Sequence, residues 1–151
     1  MKNFRLKKLG RRNEKSKDDS DSFSILGLDR SNRKKQQVEN VAALLKLNAI
    51  EDKKVVVDFG SGSGNLCLAL ASVYPSTTFV FVDQNVTSLE ILKQRALEGN
   101  LKNIVVKSFQ FTNENLEEFI SIISQELGNI DLGIGLHSCG SFTDLVMEVC
   151  R

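Results

Sequence analysis

Five residues of this chain have types and spacing suited to holding a small organic ligand: Asp58, Gly60, Gly62, Gly64 and, 23 positions beyond Gly60, Asp83. The glycines stand in Asp58-Phe59-Gly60-Ser61-Gly62-Ser63-Gly64, directly after the apolar run Val55-Val56-Val57. Glycines let a turn bring its backbone close to a ligand, because no Cβ intervenes and positive φ is cheap. An acid some 20 residues after the first glycine is where such turns meet ribose hydroxyls, and Asp83 closes the run Phe79-Val80-Phe81-Val82. The plainer reading is an ordinary strand-to-helix turn with a solvent-facing Asp83. A second group lies in Leu136-His137-Ser138-Cys139-Gly140-Ser141-Phe142-Thr143-Asp144. His137 is the chain's one histidine, suited to accept a proton from a hydroxyl near neutral pH. Cys139, placed before a helix, has the setting of a lowered thiol pKa and is a candidate nucleophile. Here the plainer reading is that Ser141 with Asp144 forms a capping signature that starts a helix. Two such ligands do not make a zinc site, so no metal is expected.

The glycine spacing discriminates among ligands. In the dinucleotide fingerprint a third Gly or Ala packs the helix against the strand, and this chain has Asn65 there. A phosphate-binding Walker loop needs a Gly-Lys-Ser/Thr that is absent from this turn. The remaining pattern, D-x-G-x-G-x-G, resembles motif I of the class I S-adenosylmethionine-dependent methyltransferases. That cofactor has no phosphate and needs no dedicated cation.

The elements that must position these residues read clearly. Val38, Val41, Ala42 and Leu45 form one helical stripe in a segment starting near Asn32. Strands are expected at 54–59, 78–82, 103–107 and 130–136. Helices are expected at 65–74, stopped by Pro75, then around Leu89, Leu92 and Ala96 up to Gly99-Asn100, from Leu116 to Gly128, and over 141–150. Wholly apolar strands alternating with helices predict an α/β, Rossmann-like fold, a parallel sheet with helices on both faces. Right-handed crossovers then gather the glycine turn, Asp83, Ser108 to Gln110 and His137 to Cys139 along one sheet edge.

Length and composition bound the rest. The chain has 151 residues, 41% apolar and 26% charged, ordinary values for one globular domain. No apolar run approaches the roughly 18 residues of a membrane span, so no membrane is expected and the cytoplasm is the default, with the nucleus as the other choice. Cys67, Cys139 and Cys150 form no CxxC and point to reduced thiols rather than a disulfide framework. The net charge of +1 hides an asymmetry: residues 1–17 hold eight Lys/Arg against one Glu. This basic stretch reads as a solvated tail, a contact to an RNA substrate, or a nuclear signal. With Asp18-Asp19-Ser20-Asp21-Ser22 after it, residues 1–30 are expected to be a basic then acidic disordered arm, and residues 31–151 the folded domain.

The run L-H-x-C-G-x-x-T-D at 136–144, with Lys34-Lys35-Gln36-Gln37 opening the preceding helix, is similar to a methyltransferase family. That family includes the glutathione S-transferase C-terminal domain-containing protein and relatives of tRNA ribose 2′-O-methyltransferases. The resemblance implies S-adenosylmethionine contacts at Asp58, Gly60, Ser61, Gly62, Gly64 and Asp83. It also implies an adenine wall at Ser108 to Gln110, where Gln110 replaces the acid of many relatives, and a methyl-facing region around His137 to Gly140. The full sheet of this class has seven strands in the order 3-2-1-4-5-7-6. The chain is therefore expected to be a fragment truncated after strand four, its strand-four edge covered by further strands or a protein partner. The expected function is methyl transfer from S-adenosylmethionine, with RNA as the acceptor to consider. The alternatives are a degenerate binding domain without activity and an NAD-dependent oxidoreductase.

Overall fold

A computed structural model describes residues 25–47, 50–136 and 140–150. The N-terminal arm up to residue 24, His137 and Cys139 lie outside the described residues. Helix α1 (Ile25–Leu47) is followed by a 3-10 turn (Ile50–Asp52), strand β1 (Val55–Phe59) and helix α2 (Cys67–Val73). Then come β2 (Thr78–Asp83), α3 (Val86–Glu98), β3 (Ile104–Ser108), α4 (Leu116–Leu127), β4 (Leu132–Ile134) and α5 (Ser141–Val149). Among the described residues no helix is long and apolar enough to cross a membrane.

The four strands form one parallel sheet in the order β3-β2-β1-β4. The strands are mostly apolar in sequence, yet their side chains divide by the period of two that a pleated strand imposes. Val56, Phe79 and Phe81 pack with α1, α2 and α3 on one face. Val55, Val57, Phe59, Val80 and Val82 pack with Phe119 and Ile123 of α4 and Val149 of α5 on the other. This two-sided cover is why the strands carry no polar alternation.

The chain leaves β1 toward β2 and β3, then returns past β1 to place β4 on its other side. The C-terminal ends of β1 and β4 thus diverge, and such a switch point is where open α/β sheets hold ligands. The glycine turn stands there.

Several boundaries differ from expectation for identifiable reasons. Strand β4 has three residues instead of the seven of 130–136. Asp131 spends its side chain on β1, its Oδ2 accepting from Lys54 N and Val55 N at 2.8 and 2.9 Å, and beyond Ile134 the chain turns off toward Leu136. Helix α1 starts at Ile25, inside the stretch expected to be a disordered arm. Helix α2 starts at Cys67 because residues 62–66 are used in the turn. At the end of α3 the left-handed residue is Asn100, with φ 51°, while Gly99 stays at −79°. Helix α5 begins at Ser141, but its N-cap is Gly140 and no side chain caps it, so the Ser141/Asp144 capping box does not form.

Away from the site, Asn103 joins three segments. Its Nδ2 lies 2.9–3.1 Å from the carbonyl oxygens of Ala71, Tyr74 and Thr77, tying the end of α2 and the entry to β2 onto β3.

Candidate functional site: the glycine turn and two cavities

Gly60, Gly62 and Gly64 have φ of 70°, 53° and 75°, a region L side chains rarely enter. Their surroundings separate their roles. A Cβ on Gly64 would lie 2.9 Å from Leu68 of α2 and Leu92 of α3, so Gly64 is the tight packing point beneath the turn. It does the work of the third glycine of a dinucleotide site one residue earlier, and position 65 is therefore free to be Asn. A Cβ on Gly60 would lie 3.3 Å from the Phe142 ring, whereas on Gly62 it would meet open space.

The turn is held from β2. Gly60 N and Ser61 N both donate to the Val82 carbonyl, and Gly62 N donates to Asp83 Oδ2 at 2.8 Å. Asp83 Oδ1 accepts from Asn85 N at 2.8 Å. Each carboxylate oxygen offers more than one lone pair, so Asp83 orders the turn and keeps acceptor capacity for hydroxyls.

Two cavities meet at Gly60. One, of about 410 Å³, is lined by Asp83, Gln84, Phe109, Gln110, Phe142 and Leu145 among others. Its aromatic wall belongs to a connected cluster, with Phe109 and Phe111 centroids 4.9 Å apart and Phe111 and Phe142 5.8 Å apart. Gln110 is set by Asn115, whose Nδ2 donates to the Gln110 carbonyl and whose Oδ1 accepts from Thr112 N. The second cavity, of about 270 Å³, is lined by Gln37 of α1, Asp58, Ser61, Gly62, Asn65 and Leu136. Gly64 supports the turn from behind, packed against Leu68 and Leu92.

Asp58 is 3% exposed and points to the α2 side of the sheet. Burial raises its carboxyl to about 7; the Cys67 thiol, which donates to it, opposes the rise, and the Asp83 charge adds to it. Burial raises the Cys67 thiol as well, helped by the Asp58 charge. Ser61 Oγ is buried without a hydrogen-bond partner. An unpaired buried hydroxyl is costly unless a ligand uses it.

The structure thus brings together Asp58, Gly60, Ser61, Gly62, Asp83 and Gln110 around two adjoining cavities. Leu136 reaches the smaller one, while His137 and Cys139 lie outside the described residues. Local sequence gave no signal for Cys67 as the partner of Asp58, for Asn115, or for Arg95, whose guanidinium donates to Ser63 and Asn65.

A Rossmann-like sheet with its glycine turn at the switch point is common to nucleotide-binding and class I methyltransferase folds. A ribosomal protein L11 methylase structure from Lactobacillus delbrueckii subsp. bulgaricus shares the fold of this chain, with TM-score 0.53 and 19% identity over 76% of this chain and 53% of that one. The chain belongs to the methyltransferase-domain family, whose model matches residues 33–150, and the domain is of the S-adenosylmethionine-dependent class. It is 37% identical over 129 residues to the glutathione S-transferase C-terminal domain-containing protein homolog of Drosophila pseudoobscura pseudoobscura, covering 85% of this chain and 20% of that protein. It is 32% identical over 71 residues to the ribosomal RNA small subunit methyltransferase C of Buchnera aphidicola, covering 47% of this chain and 22% of that protein. The chain therefore spans about a fifth of the length of these curated relatives. Membership in this family favours S-adenosylmethionine over a nicotinamide as the cofactor class of the domain.

Proposed function

We propose that this chain binds S-adenosylmethionine across Gly60, with the adenosyl end in the larger cavity and the methionyl end in the smaller. The observation that carries the assignment is the pairing of Asp83 with the turn: one carboxylate fixes Gly62 and faces the larger cavity. Asp83 then accepts ribose hydroxyls, Gln110 contacts the adenine edge, and the Phe109 and Phe142 rings supply its apolar walls. Polar residues lining the smaller cavity include Gln37, Asp58, Ser61 and Asn65, and of these Asp58 and Ser61 are proposed to meet the amino-acid end. A carboxylate at Asp58 suits an ammonium, and the unpartnered Ser61 hydroxyl suits a carboxylate.

The bound cofactor supplies a methyl group on a sulfonium, activated without further protein chemistry. The protein's part is then to orient it toward an acceptor. We propose His137, one residue past the cavity-lining Leu136 in sequence, as the group that takes the acceptor's proton, with Cys139 as a candidate nucleophile. RNA is the proposed acceptor, supported by the eight basic residues of 1–17 and by the ribosomal RNA methyltransferase among the relatives.

Calorimetric titration with S-adenosylhomocysteine tests the cofactor assignment, and NAD serves as the control. Saturable NAD binding with no S-adenosylhomocysteine heat would overturn it. Deleting residues 1–17 should lower RNA affinity and flatten its dependence on salt. RNA binding unaffected by the deletion would remove the arm from the proposal.

A further inference from the structure

The cofactor turn is fixed from β2 on one side, and a second support reaches it from α3. Leu92 lies directly beneath Gly64, close enough that a Cβ there would be 2.9 Å away. One turn further along the same helix face, the half-buried Arg95 points its Nη1 at two groups of the turn. It donates to the Ser63 carbonyl and, at 3.0 Å, to Asn65 Oδ1. Burial of the guanidinium lowers its pKa, and the nearby Glu98 opposes that shift. Arginine remains charged regardless, so these are charge-assisted bonds to an otherwise neutral turn.

We infer that Arg95, acting through Ser63 and Asn65, is a positioning residue that holds the back of the cofactor turn in its binding conformation. The inference rests on the reading that this turn holds S-adenosylmethionine. Three positive-φ glycines within five residues make the segment 60–64 intrinsically plastic. Internal bonding of the turn is sparse: Gly64 N donates to the Ser61 carbonyl, and the Ser63 carbonyl and Asn65 side chain look to α3. Without Arg95, Gly62 stays tied to Asp83 while the Ser63 to Asn65 segment loses its anchor. Ser63 and Asn65, both lining the smaller cavity, then lose their fixed placement. Asn65 is exposed, so its type is explained by what it offers Arg95 rather than by burial.

The test uses the full chain, with S-adenosylhomocysteine as probe, and the variants Arg95→Ala, Arg95→Lys, Asn65→Ala and the Arg95→Ala/Asn65→Ala double. Arg95→Ala should weaken binding roughly tenfold, about 1.4 kcal/mol, and Arg95→Lys should recover part of the loss by supplying a charged donor without the planar fork. Asn65→Ala should weaken binding less, and the double variant should be no weaker than Arg95→Ala alone, because Asn65 acts through Arg95. Unchanged affinity in Arg95→Ala, or full additivity in the double, overturns the inference; additivity would mean Asn65 meets the ligand directly. If Arg95→Ala does not fold, Arg95→Lys and Asn65→Ala, each expected to weaken binding, carry the same comparison. Should the unaltered protein give no S-adenosylhomocysteine heat, the cofactor reading fails separately. The clamp is then judged by hydrogen exchange of the 62–65 amides, which must quicken in Asn65→Ala, and an unaltered rate overturns it.

Discussion

Asp58 is buried on the α2 side of β1 with its carboxyl raised to about 7, mainly by desolvation. The folded state binds this proton more tightly than the unfolded chain, whose carboxyl titrates near 3.8. The contribution of Asp58 to stability is therefore most favourable below about pH 4 and declines as pH rises toward 7. Asp58→Asn removes the buried charge, so it should stabilise the protein above pH 7 by up to roughly 4 kcal/mol and change little near pH 4. Urea unfolding at the two pH values checks this, and an equal effect at both would deny it. The same substitution should weaken S-adenosylhomocysteine binding, since the proposed ammonium partner is gone. Asp83 differs: its oxygens already accept from Gly62 and Asn85. Asp83→Ala should therefore both loosen the turn and remove the ribose contact, weakening cofactor binding by roughly 1–3 kcal/mol. Calorimetry showing unchanged affinity would remove Asp83 from the site. Both acids were legible in sequence from their distance to the glycines. The pairing of Asp58 with Cys67 was not, because it depends on how α2 lies across β1.

The turn and the helices that cradle it show how alike-looking residues differ. Gly64→Ala combines a left-handed φ with contacts at 2.9 Å to Leu68 and Leu92, and should destabilise the fold by roughly 2–5 kcal/mol. Gly62→Ala has open space around it and should cost only about 1–2 kcal/mol, all of it backbone strain. Chemical denaturation of the two variants in parallel gives the order, and Gly62 proving the more sensitive would contradict the packing role of Gly64. Elsewhere, Asn103→Ala should cost about 1–3 kcal/mol by leaving carbonyls of the α2–β2 connection unpaired. A melting temperature equal to that of the unaltered protein would show water replacing the amide. Element order and most bounds were readable because apolar periodicity, Pro75, Gly99 and Gly128 are local signals. The short β4 was not readable, since the Asp131 side chain takes backbone donors at the start of β1 only once the two strands are adjacent.

At the scale of the whole molecule, the order β3-β2-β1-β4 places β1 and β2 centrally and β4 at an edge, three residues long. Opening free energy should follow that order. Hydrogen exchange is expected to be slowest in Val55–Phe59 and Thr78–Asp83 and much faster in Leu132–Ile134. Equal protection in β4 and β1 would mean that the edge is covered in solution. The two faces of the sheet also have separate tasks. One packs α1, α2 and α3 and carries Asp58, while the other gathers the phenylalanine cluster that walls the larger cavity.

The sequence by itself determined the α/β alternation, the glycine turn and the acids Asp58 and Asp83, because each is written within one strand–turn–helix–strand stretch of about 30 residues. Only the tertiary structure decided which face each strand residue takes and that two cavities meet at Gly60. It alone decided that Gly64 sits tightly on Leu68 and Leu92, and that Arg95, Asn115 and Cys67 support the site. Those contacts arise where crossovers bring distant segments together, and neither spacing nor composition encodes a crossover's final fit.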